Sequence, residues 1–280
     1  MRVLVTGGSG YLGTYVRSFF SADDFSRRSD HNVMDESDCR MAADYDVVIH
    51  LAAYLDKNPV GAERCFATNA DGTRNLVRHM RPGAVFIYAS TKDVYGAHAN
   101  AFDEVPESCA TDYTGQSAFE WSKFIGERYV DYYATERRVR FCIFRMAAVY
   151  ARPSPGNENG FVTHYVESVK HGWPIRLPAG GKPRRDILHV DDFSRACQAF
   201  IDSEKWAGLY NLGGGQRNST TLREIIDTVG RLIELTTVLD EDADQPTPVP
   251  LNYVSDLTRI TSELRWEPQI GIEEGLRSLL

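Results

Sequence analysis

The chain has 280 residues, 42% of them hydrophobic, which is enough to bury a large core in one domain or in one domain and a lobe. A net charge of -8 argues against a nucleic-acid surface, and no apolar run is long enough to span a bilayer. The 5 cysteines are scattered and show no metal-ligand spacing, so we expect a reduced, cytoplasmic protein without a metal site.

The first predicted element is a strand that leads directly into a glycine turn. Residues 2–6 are rich in Val and Leu, Gly7, Gly10 and Gly13 follow at G-x-x-G-x-x-G spacing, and residues 11–20 have a helical pattern. Such glycines permit a tight turn, the approach of a pyrophosphate to the backbone, and packing of helix on strand. The turn predicts a dinucleotide site at the helix N-terminus, and a glycine turn without a nucleotide is the alternative. Because a strand starts at residue 2, we expect no signal peptide.

The second strand is expected over residues 24–27, and its end indicates which dinucleotide is bound. A carboxylate at this place accepts a hydrogen bond from the ribose 2′-hydroxyl of NAD. This chain instead presents Ser26, Arg27 and Arg28. Guanidinium groups suit a 2′-phosphate, so the sequence favours NADP as the cofactor, with NAD as the alternative. The two arginines are also compatible with an exposed loop that binds nothing.

Strand and helix patterns then alternate through the first half of the chain. Strands are predicted over residues 46–53, 84–89 and 139–145, and helices over residues 59–80 and 116–135. Strands joined by right-handed helical crossovers form a parallel sheet with helices on both faces. We therefore predict an α/β fold with a Rossmann-type doubly wound parallel sheet.

Beyond residue 150 the pattern loosens and prolines and glycines become frequent. Helical stretches recur near residues 191–203, 221–235 and 254–264. We interpret this part as a smaller C-terminal α/β lobe that closes over the carboxyl ends of the strands, where such sheets bind ligands. The predicted division is a dinucleotide-binding Rossmann domain at residues 1–150 and a substrate-binding lobe at residues 151–280, partly interleaved.

Seven short motifs follow one another along nearly the whole chain. They are TGGSGYLG at residues 6–13, VIHLAA at 48–53, NADGTRNL at 69–76, ASTKDVYG at 89–96, RDILHVDD at 185–192, NLGGG at 211–215 and LRWEP at 264–268. In these motifs the chain resembles the extended short-chain dehydrogenase/reductase family, in its nucleotide-sugar epimerase/dehydratase branch. The resemblance implies a bound NAD or NADP, a nucleotide-sugar substrate, and hydride transfer at a sugar carbon, commonly C4.

The resemblance also implies a catalytic set of a Ser or Thr, a Tyr and a Lys in a Tyr-x-x-x-Lys pattern. Thr91 matches the hydroxyl and Lys123 the lysine, but Phe119 stands where the family has its acid/base tyrosine. Phenylalanine removes the proton carrier, a loss of about 10²- to 10⁴-fold unless another group substitutes. Three interpretations stay open: an engineered inactivating substitution, a natural enzyme with another proton donor, or a protein that binds without catalysis. The tyrosines considered as substitutes are Tyr95, Tyr113 and Tyr129.

By the same resemblance, further residues are expected to bind the cofactor. Tyr11 and Leu12 belong to the glycine turn, and Asp35 is expected on the adenine side. Lys123 is expected to hold the nicotinamide ribose. The remaining expected cofactor contacts are Leu51, Ala52, Ala53, Asn69 and Ala147.

The expected substrate contacts include departures from the family pattern. Arg185 matches the family arginine that contacts the nucleotide diphosphate. Ala148, however, replaces an expected Asn, and residues 241–246 lack the second expected arginine. Either other cations contact the phosphates, or the substrate is not a nucleotide sugar. The other cations considered are Arg152, Lys182 and Arg184.

Two further positions are compared with relatives that carry additional proton-transfer groups. Lys92-Asp93 stands where dehydratases of the family have an Asp-Glu pair, which disfavours a 4,6-dehydratase. In the branch that resembles GDP-fucose synthase, the residue two after the catalytic Ser and a downstream His act in epimerisation, and Asp93 and His164 approximate those places. The alternatives are a loop-capping role for Asp93 and a polar helix-face role for His164.

The sequence thus predicts an NAD(P)-dependent oxidoreductase of a nucleotide-linked sugar in which Thr91 hydrogen-bonds the reacting oxygen. The favoured activity is NADP-dependent 4-ketoreduction, with a nucleotide-sugar C4 epimerase as the alternative in the same family. A non-catalytic NADP-binding sensor or partner protein is the alternative in another class. The resemblance also implies a homodimer through the helices at residues 59–80 and 116–135.

Overall fold

Eleven strands and ten α-helices are described in the computed structural model, which covers residues 1–158, 160–235, 237, 239–240 and 248–280. The strands are β1 (Val3–Thr6), β2 (Asp23–Phe25), β3 (Val47–His50), β4 (Val85–Thr91), β5 (Arg140–Met146), β6 (Ala148–Tyr150), β7 (Ile175–Arg176), β8 (Arg184–His189), β9 (Ala207–Leu212), β10 (Ser219–Thr221) and β11 (Leu239–Asp240). The helices are α1 (Gly13–Phe20), α2 (Glu36–Cys39), α3 (Ala62–Cys65), α4 (Gly72–Val77), α5 (Ala118–Arg137), α6 (Phe161–His171), α7 (Val190–Asp202), α8 (Leu222–Ile233), α9 (Thr258–Leu264) and α10 (Ile272–Ser278).

Six parallel strands form the central sheet, in the spatial order β2-β1-β3-β4-β5-β9. Every residue of β1, β3 and β4 is buried, as expected for strands covered on both faces. The chain turns to one side of β1 for β2 and to the other side for β3. Ligands bind at such a reversal of strand order, outside the carboxyl ends of the strands. The predicted Rossmann-type sheet is confirmed.

Helices cover both faces of this sheet. Val16 of α1 and Phe193 of α7 share one hydrophobic core with the strands. Leu76 of α4 and Val130 of α5 belong to the core on the opposite face. α5 starts sharply because Ser117 and Glu120 form a capping box, each side chain accepting from the other's backbone N–H.

A second lobe is built largely from the later part of the chain. Its three-stranded sheet has the order β10-β8-β6, and β7 pairs with β11 in a separate ladder. Residues of α6, α8 and α10, such as Val166, Ile226 and Leu276, form its core. β9 nevertheless returns to the central sheet beside β5, so the two parts are interleaved in sequence. The division at residue 150 stays a prediction.

Three element boundaries differ from the prediction. The helix expected over 254–264 begins only at Thr258, because Tyr253 forms a bridge with Arg185 of β8 and Ser255 forms one with Val105. The helix expected over 59–80 ends at Val77 and contains a π-helical segment, Phe66–Asp71, between α3 and α4. The second strand ends at Phe25, before a 3₁₀ turn that starts after Ser26.

No described helix is both long enough and apolar enough to cross a membrane. The cysteines all lie in the described ranges and are buried free thiols.

Candidate active site

A cleft of about 720 Å³ opens at the carboxyl ends of the central strands. Its walls come from the glycine turn, the end of β2, the loops after β3 and β4, the first turns of α5 and the β5–β6 connection. The structure therefore brings together residues that are up to 154 positions apart, since Gly7 and Phe161 both line the cleft. The predicted site residues that line it are Gly7, Gly10, Tyr11, Leu12, Gly13, Ser26, Arg27, Arg28, Leu51, Ala52, Ala53, Thr91, Asp93, Phe119, Lys123, Ala147 and Ala148.

The glycine turn has the geometry that a pyrophosphate needs. Gly7 has a φ of +67°, and a Cβ there would lie 2.9 Å from the Ala52 backbone. A Cβ on Gly13 would overlap the Gly7 carbonyl oxygen. Gly10 differs, because a Cβ there meets only that oxygen, at 3.0 Å, among the described residues outside its chain neighbours. α1 then begins at Gly13 without a side-chain cap, so its N-terminus is available to an anion.

The end of β2 presents cations to the cleft. Arg27 and Arg28 both line it, and Ser26 occupies the position where NAD-binding folds carry a carboxylate. Arg28 donates to the Ser9 carbonyl at 3.0 Å and to the Gly156 carbonyl at 2.6 Å. The nearby carboxylate is within β2 instead: Asp24 accepts from the Ser26 hydroxyl at 2.9 Å.

Two predicted cofactor contacts lie outside the cleft lining. Asp35 is exposed, and its carboxylate caps α2 by accepting from the Ser37 N–H at 2.8 Å, while Asn32 and Val33 line the cleft in its place. Asn69 is fully buried in the π-helical segment and hydrogen-bonds both backbone groups of Tyr54, at 2.8 and 2.9 Å. Asn69 thus fixes the loop after β3, and cofactor contacts by Asp35 and Asn69 stay predictions.

Thr91, Phe119 and Lys123 all line this cleft. Thr91 is the last residue of β4, and its hydroxyl oxygen accepts from the Asp93 N–H at 3.2 Å, so its hydrogen is free to donate. Phe119 and Lys123 lie four residues apart on α5, hence on one helix face. The Lys123 Nζ lies 4.5 Å from the Tyr88 ring centroid. Burial lowers the pKa of Lys123 to about 7, against the opposing effect of Glu127.

A buried ion pair holds this face of α5 against the sheet. The Glu127 carboxylate accepts from Arg145 of β5 at 2.7 and 3.0 Å, and both side chains are almost completely buried. The Ser90 hydroxyl of β4 donates to the same carboxylate at 2.5 Å. Arg145 also stacks on Tyr95, 4.8 Å from the ring centroid. Such a paired and hydrogen-bonded charge fixes the position of α5 relative to β4 and β5.

A cluster of two lysines and two carboxylates borders Thr91 and Phe119. The Lys57 Nζ lies 3.1 Å from Asp93 Oδ2 and 2.7 Å from Glu120 Oε1. Asp93 also pairs with Lys92 through its other oxygen. Burial alone would raise the pKa of Asp93, but Lys92 and Lys57 outweigh it and hold the pKa well below its usual range. Lys57 was not predicted, because no spacing pattern links this loop residue to α5.

Residues 3–213 match the profile of the NAD dependent epimerase/dehydratase family. The chain belongs to this family. The predicted fold and family are thereby confirmed, and the protein is an enzyme of the NAD-dependent epimerase/dehydratase type. Membership supports a nicotinamide dinucleotide as the cofactor that the cleft accommodates.

Similar proteins cover the chain over its full length. CDP-paratose 2-epimerase of Salmonella typhi is 25% identical over 341 residues, covering 100% of this chain and 98% of the relative. dTDP-glucose 4,6-dehydratase of Mycobacterium tuberculosis is 26% identical over 317 residues, covering 100% and 92%. The structure of MoeE5 in complex with UDP-glucose and NAD has a TM-score of 0.85 at 20% identity, covering 100% of this chain and 97% of that one. This last likeness shows the fold.

Only some of the residues predicted to contact the substrate line the cleft. Ala148 lines the cleft, but Arg185 lies outside its lining and donates to the carbonyls of Arg184, Pro250 and Leu251 at 2.7 to 2.9 Å. His164 is exposed on α6 and does not line the cleft. The segment without the second arginine, residues 241–246, lies outside the described residues.

None of the three tyrosines considered as a substitute for the family tyrosine lines the cleft. Tyr95 is buried and donates to Asn211 Oδ1 at 2.6 Å. Tyr113 is 68% exposed, and Tyr129 packs edge-on against Tyr133. Within the described residues, the tyrosines that do line the cleft are Tyr11, whose hydroxyl donates to the Ala151 carbonyl, and Tyr54.

Proposed function

We propose that the protein is an NADP-dependent reductase that converts a nucleotide-linked 4-keto sugar to the corresponding alcohol. The observation that carries this proposal is one cleft whose lining combines the glycine turn, Arg27 and Arg28 with Thr91 and Lys123. A bound nicotinamide cofactor supplies the hydride for a carbonyl carbon. The names of the relatives, which contain CDP- and dTDP-linked sugars, support a nucleotide-linked substrate.

The roles of the protein's own residues follow from their positions. The Thr91 hydroxyl, whose oxygen is already occupied as an acceptor, donates its hydrogen to the carbonyl oxygen of the sugar. Lys123 donates to the ribose hydroxyls on the nicotinamide side, and its burial excludes water from that contact. The carbonyl carbon gains the hydride and the carbonyl oxygen gains a proton, while the dinucleotide is oxidised.

The preference for NADP is supported by charge at the end of β2. A 2′-phosphate carries negative charge and acceptor oxygens, which Arg27 and Arg28 match, whereas no carboxylate occupies the position at Ser26. The exposed face of these arginines makes the interaction sensitive to salt. We expect tighter binding of NADPH than of NADH, with the difference reduced at high ionic strength.

A C4 epimerase is the second candidate, favoured by the names of several relatives that are epimerases. A non-catalytic NADP-binding protein is the third, favoured by Phe119. The three differ in the fate of the bound cofactor. A reductase consumes NADPH stoichiometrically, an epimerase returns it unchanged, and a binding protein never alters its redox state.

The test is an absorbance assay of NADPH and NADH oxidation with CDP-, dTDP- and UDP-linked 4-keto sugars. We expect NADPH consumption with at least one sugar, formation of one alcohol, and a higher rate for Phe119→Tyr, which restores the family's proton donor. Thr91→Val is the inactive control, and its NADPH affinity should be unchanged. Binding of NADPH without oxidation in both the unmodified protein and Phe119→Tyr would contradict the proposal.

A further inference from the structure

We infer that Lys57 is the proton donor to the sugar oxygen, in the role that the missing tyrosine has elsewhere in the family. The inference rests on the proposed function, since it concerns the proton that accompanies hydride transfer to a ketone. Lys57 would then be a catalytic residue that none of the family motifs contains.

The position of Lys57 is the first observation. Its Nζ lies over the ring of Phe119, 5.7 Å from the centroid, and Lys57 lines the same cleft as Thr91. The ammonium thus faces the ring from which the acid/base hydroxyl is absent. Thr91 is linked to the same group, because Asp93 both donates its N–H to the Thr91 hydroxyl and binds Lys57.

Two carboxylates keep the ammonium at this place. Glu120 is 5% exposed, and its Oε2 accepts from the Ser117 N–H at 2.7 Å, which leaves Oε1 to Lys57 at 2.7 Å. Asp93 Oδ2 contributes the second contact, at 3.1 Å. The side chain of Lys57 is still 57% exposed, so a proton given to substrate is replaced from water.

The other titratable groups of the cleft are less suited to the task. The hydroxyl of Tyr11 is engaged with the Ala151 carbonyl, and that of Tyr54 donates to Asp56 Oδ2 at 3.3 Å. Asp93 is held as a carboxylate by its two lysines. His31 lines the cleft at the end of β2, where it packs 5.1 Å from the Phe25 ring. Lys123 is the remaining competitor, and the experiment below separates it from Lys57.

The step is balanced as a general-acid transfer. One N–H bond of the Lys57 ammonium breaks and an O–H bond forms on the sugar oxygen as hydride reaches the carbon, which leaves a neutral amine that water reprotonates. Burial alone would lower the pKa of Lys57, but Asp93 and Glu120 outweigh it and raise the pKa above its ordinary value. Lys57 therefore stays an ammonium near neutral pH, with no amine to act as a base, which favours ketone reduction over the alcohol oxidation that starts an epimerisation.

The experiment compares Lys57→Met with Lys205→Met in single turnovers of the NADPH complex. Lys205 is a matched control, because it is 43% exposed and pairs with one carboxylate, Glu263, at 3.1 Å. We expect Lys57→Met to slow hydride transfer by at least about 100-fold with unchanged NADPH affinity, and Lys205→Met to have no effect. A rate for Lys57→Met within about threefold of the unmodified protein would overturn the inference and leave Lys123 as the donor.

A double variant separates proton donation from structural support. Phe119→Tyr in the Lys57→Met background should restore the rate, because the tyrosine hydroxyl supplies the missing proton. A double variant as slow as Lys57→Met assigns Lys57 a structural role and overturns the inference. If Phe119→Tyr is active while the unmodified protein is inert, the substrate class is right and Lys57 is not a donor. If both are inert with every keto sugar, the proposed function fails, and the inference with it.

A binding measurement provides a readout that does not depend on turnover. In the dead-end complex of NADP⁺ and a keto sugar, the NMR signal of the reductively methylated Lys57 side chain, assigned by its loss in Lys57→Met, should shift when sugar is added. The Lys205 signal should stay constant. A Lys57 signal that is insensitive to saturating sugar would show that the ammonium does not contact the substrate and would contradict the inference.

Discussion

The buried ammonium of Lys123 lowers the stability of the folded protein, although we propose that it is needed to bind the cofactor. Its burial lowers its pKa from the ordinary 10.5 to about 7. Between these two values the unfolded chain holds more protons than the folded chain, so the free energy of unfolding rises with pH across this interval. Below about pH 7 both states are protonated, and the folded protein bears the full cost of the buried ammonium.

We therefore expect Lys123→Met to raise the free energy of unfolding at pH 7 by a few kcal/mol and to flatten its rise between pH 7 and 10. Urea unfolding of the ligand-free protein at several pH values measures both effects, with Lys205→Met as the control that keeps the slope. The same variant should lose reductase activity, because the ribose contact is gone. A variant less stable than the parent at pH 7 would contradict the cost assigned to the buried charge.

Phe119 shows how far a single residue can be interpreted from sequence. Its place in the Tyr-x-x-x-Lys pattern is evident from the chain alone, and so is the absence of a hydroxyl. The structure adds Lys57 above its ring, a contact between residues 62 positions apart. No local pattern encodes such a contact, because the loop after β3 and helix α5 meet only when β3 and β4 pair.

At the scale of elements, the glycines of the turn differ in what requires them: we expect the fold to require some of them and ligand binding to require another. Gly13 packs so closely on Gly7 that a Cβ would overlap its carbonyl oxygen, and Gly7 itself requires a positive φ. A Cβ on Gly10, which lines the cleft, would meet a single close atom, the Gly7 carbonyl oxygen at 3.0 Å, among the described residues outside its chain neighbours. One turn thus contains both kinds of glycine at a spacing of three residues.

This difference predicts distinct outcomes for two substitutions of the same size. Gly10→Ala should cost less stability than Gly13→Ala and lower NADPH affinity by more than about tenfold, because the methyl group occupies the place of the pyrophosphate. Gly13→Ala should destabilise the fold by about 1–3 kcal/mol through overpacking. Urea unfolding and fluorescence titration with NADPH measure the two quantities. Equal loss of stability in both variants would show that the cleft is not open at Gly10.

Helix α5 is the element that organises the catalytic half of the site. Phe119, Lys123 and Glu127 recur every four residues and therefore lie on the helix face that packs on the sheet. The buried pair between Glu127 and Arg145 fixes that face, and the capping box at Ser117 orients Glu120 toward Lys57. The periodicity was visible in the sequence, whereas the partners of each side chain were not.

At the scale of the molecule, the second lobe closes on the dinucleotide end of the cleft. Asn157 donates to the Ser9 carbonyl of the glycine turn at 3.0 Å, and Arg28 joins the Ser9 and Gly156 carbonyls. The loop that precedes α6 thus bridges directly to the glycine turn, which we propose holds the pyrophosphate. On that proposal, we expect this bridge to slow the exchange of the cofactor.

Removing one hydrogen bond of this bridge should change the rate of NADPH dissociation more than the rate of NADPH association. We expect Asn157→Ala to speed NADPH dissociation by about 2- to 10-fold, the equivalent of one net hydrogen bond, with little change in association. Stopped-flow fluorescence measures both rates. Ser154→Ala is the control, because it removes only the contact of the Ser154 hydroxyl with Asn157 and leaves the bond to Ser9. An unchanged dissociation rate would show that the bridge does not retain the cofactor.

The sequence by itself determined the sheet, the glycine turn, and the identities of Thr91, Phe119 and Lys123, because each depends on periodicity or on fixed local spacing. The homodimer through the two long helices and the domain boundary at residue 150 stay predictions. Only the tertiary structure decided that Asp35 caps α2 and Asn69 holds the loop after β3, that Arg185 is engaged with carbonyls, and that Lys57 faces Phe119. These contacts join segments far apart in the chain, and long-range packing, not local propensity, sets their geometry.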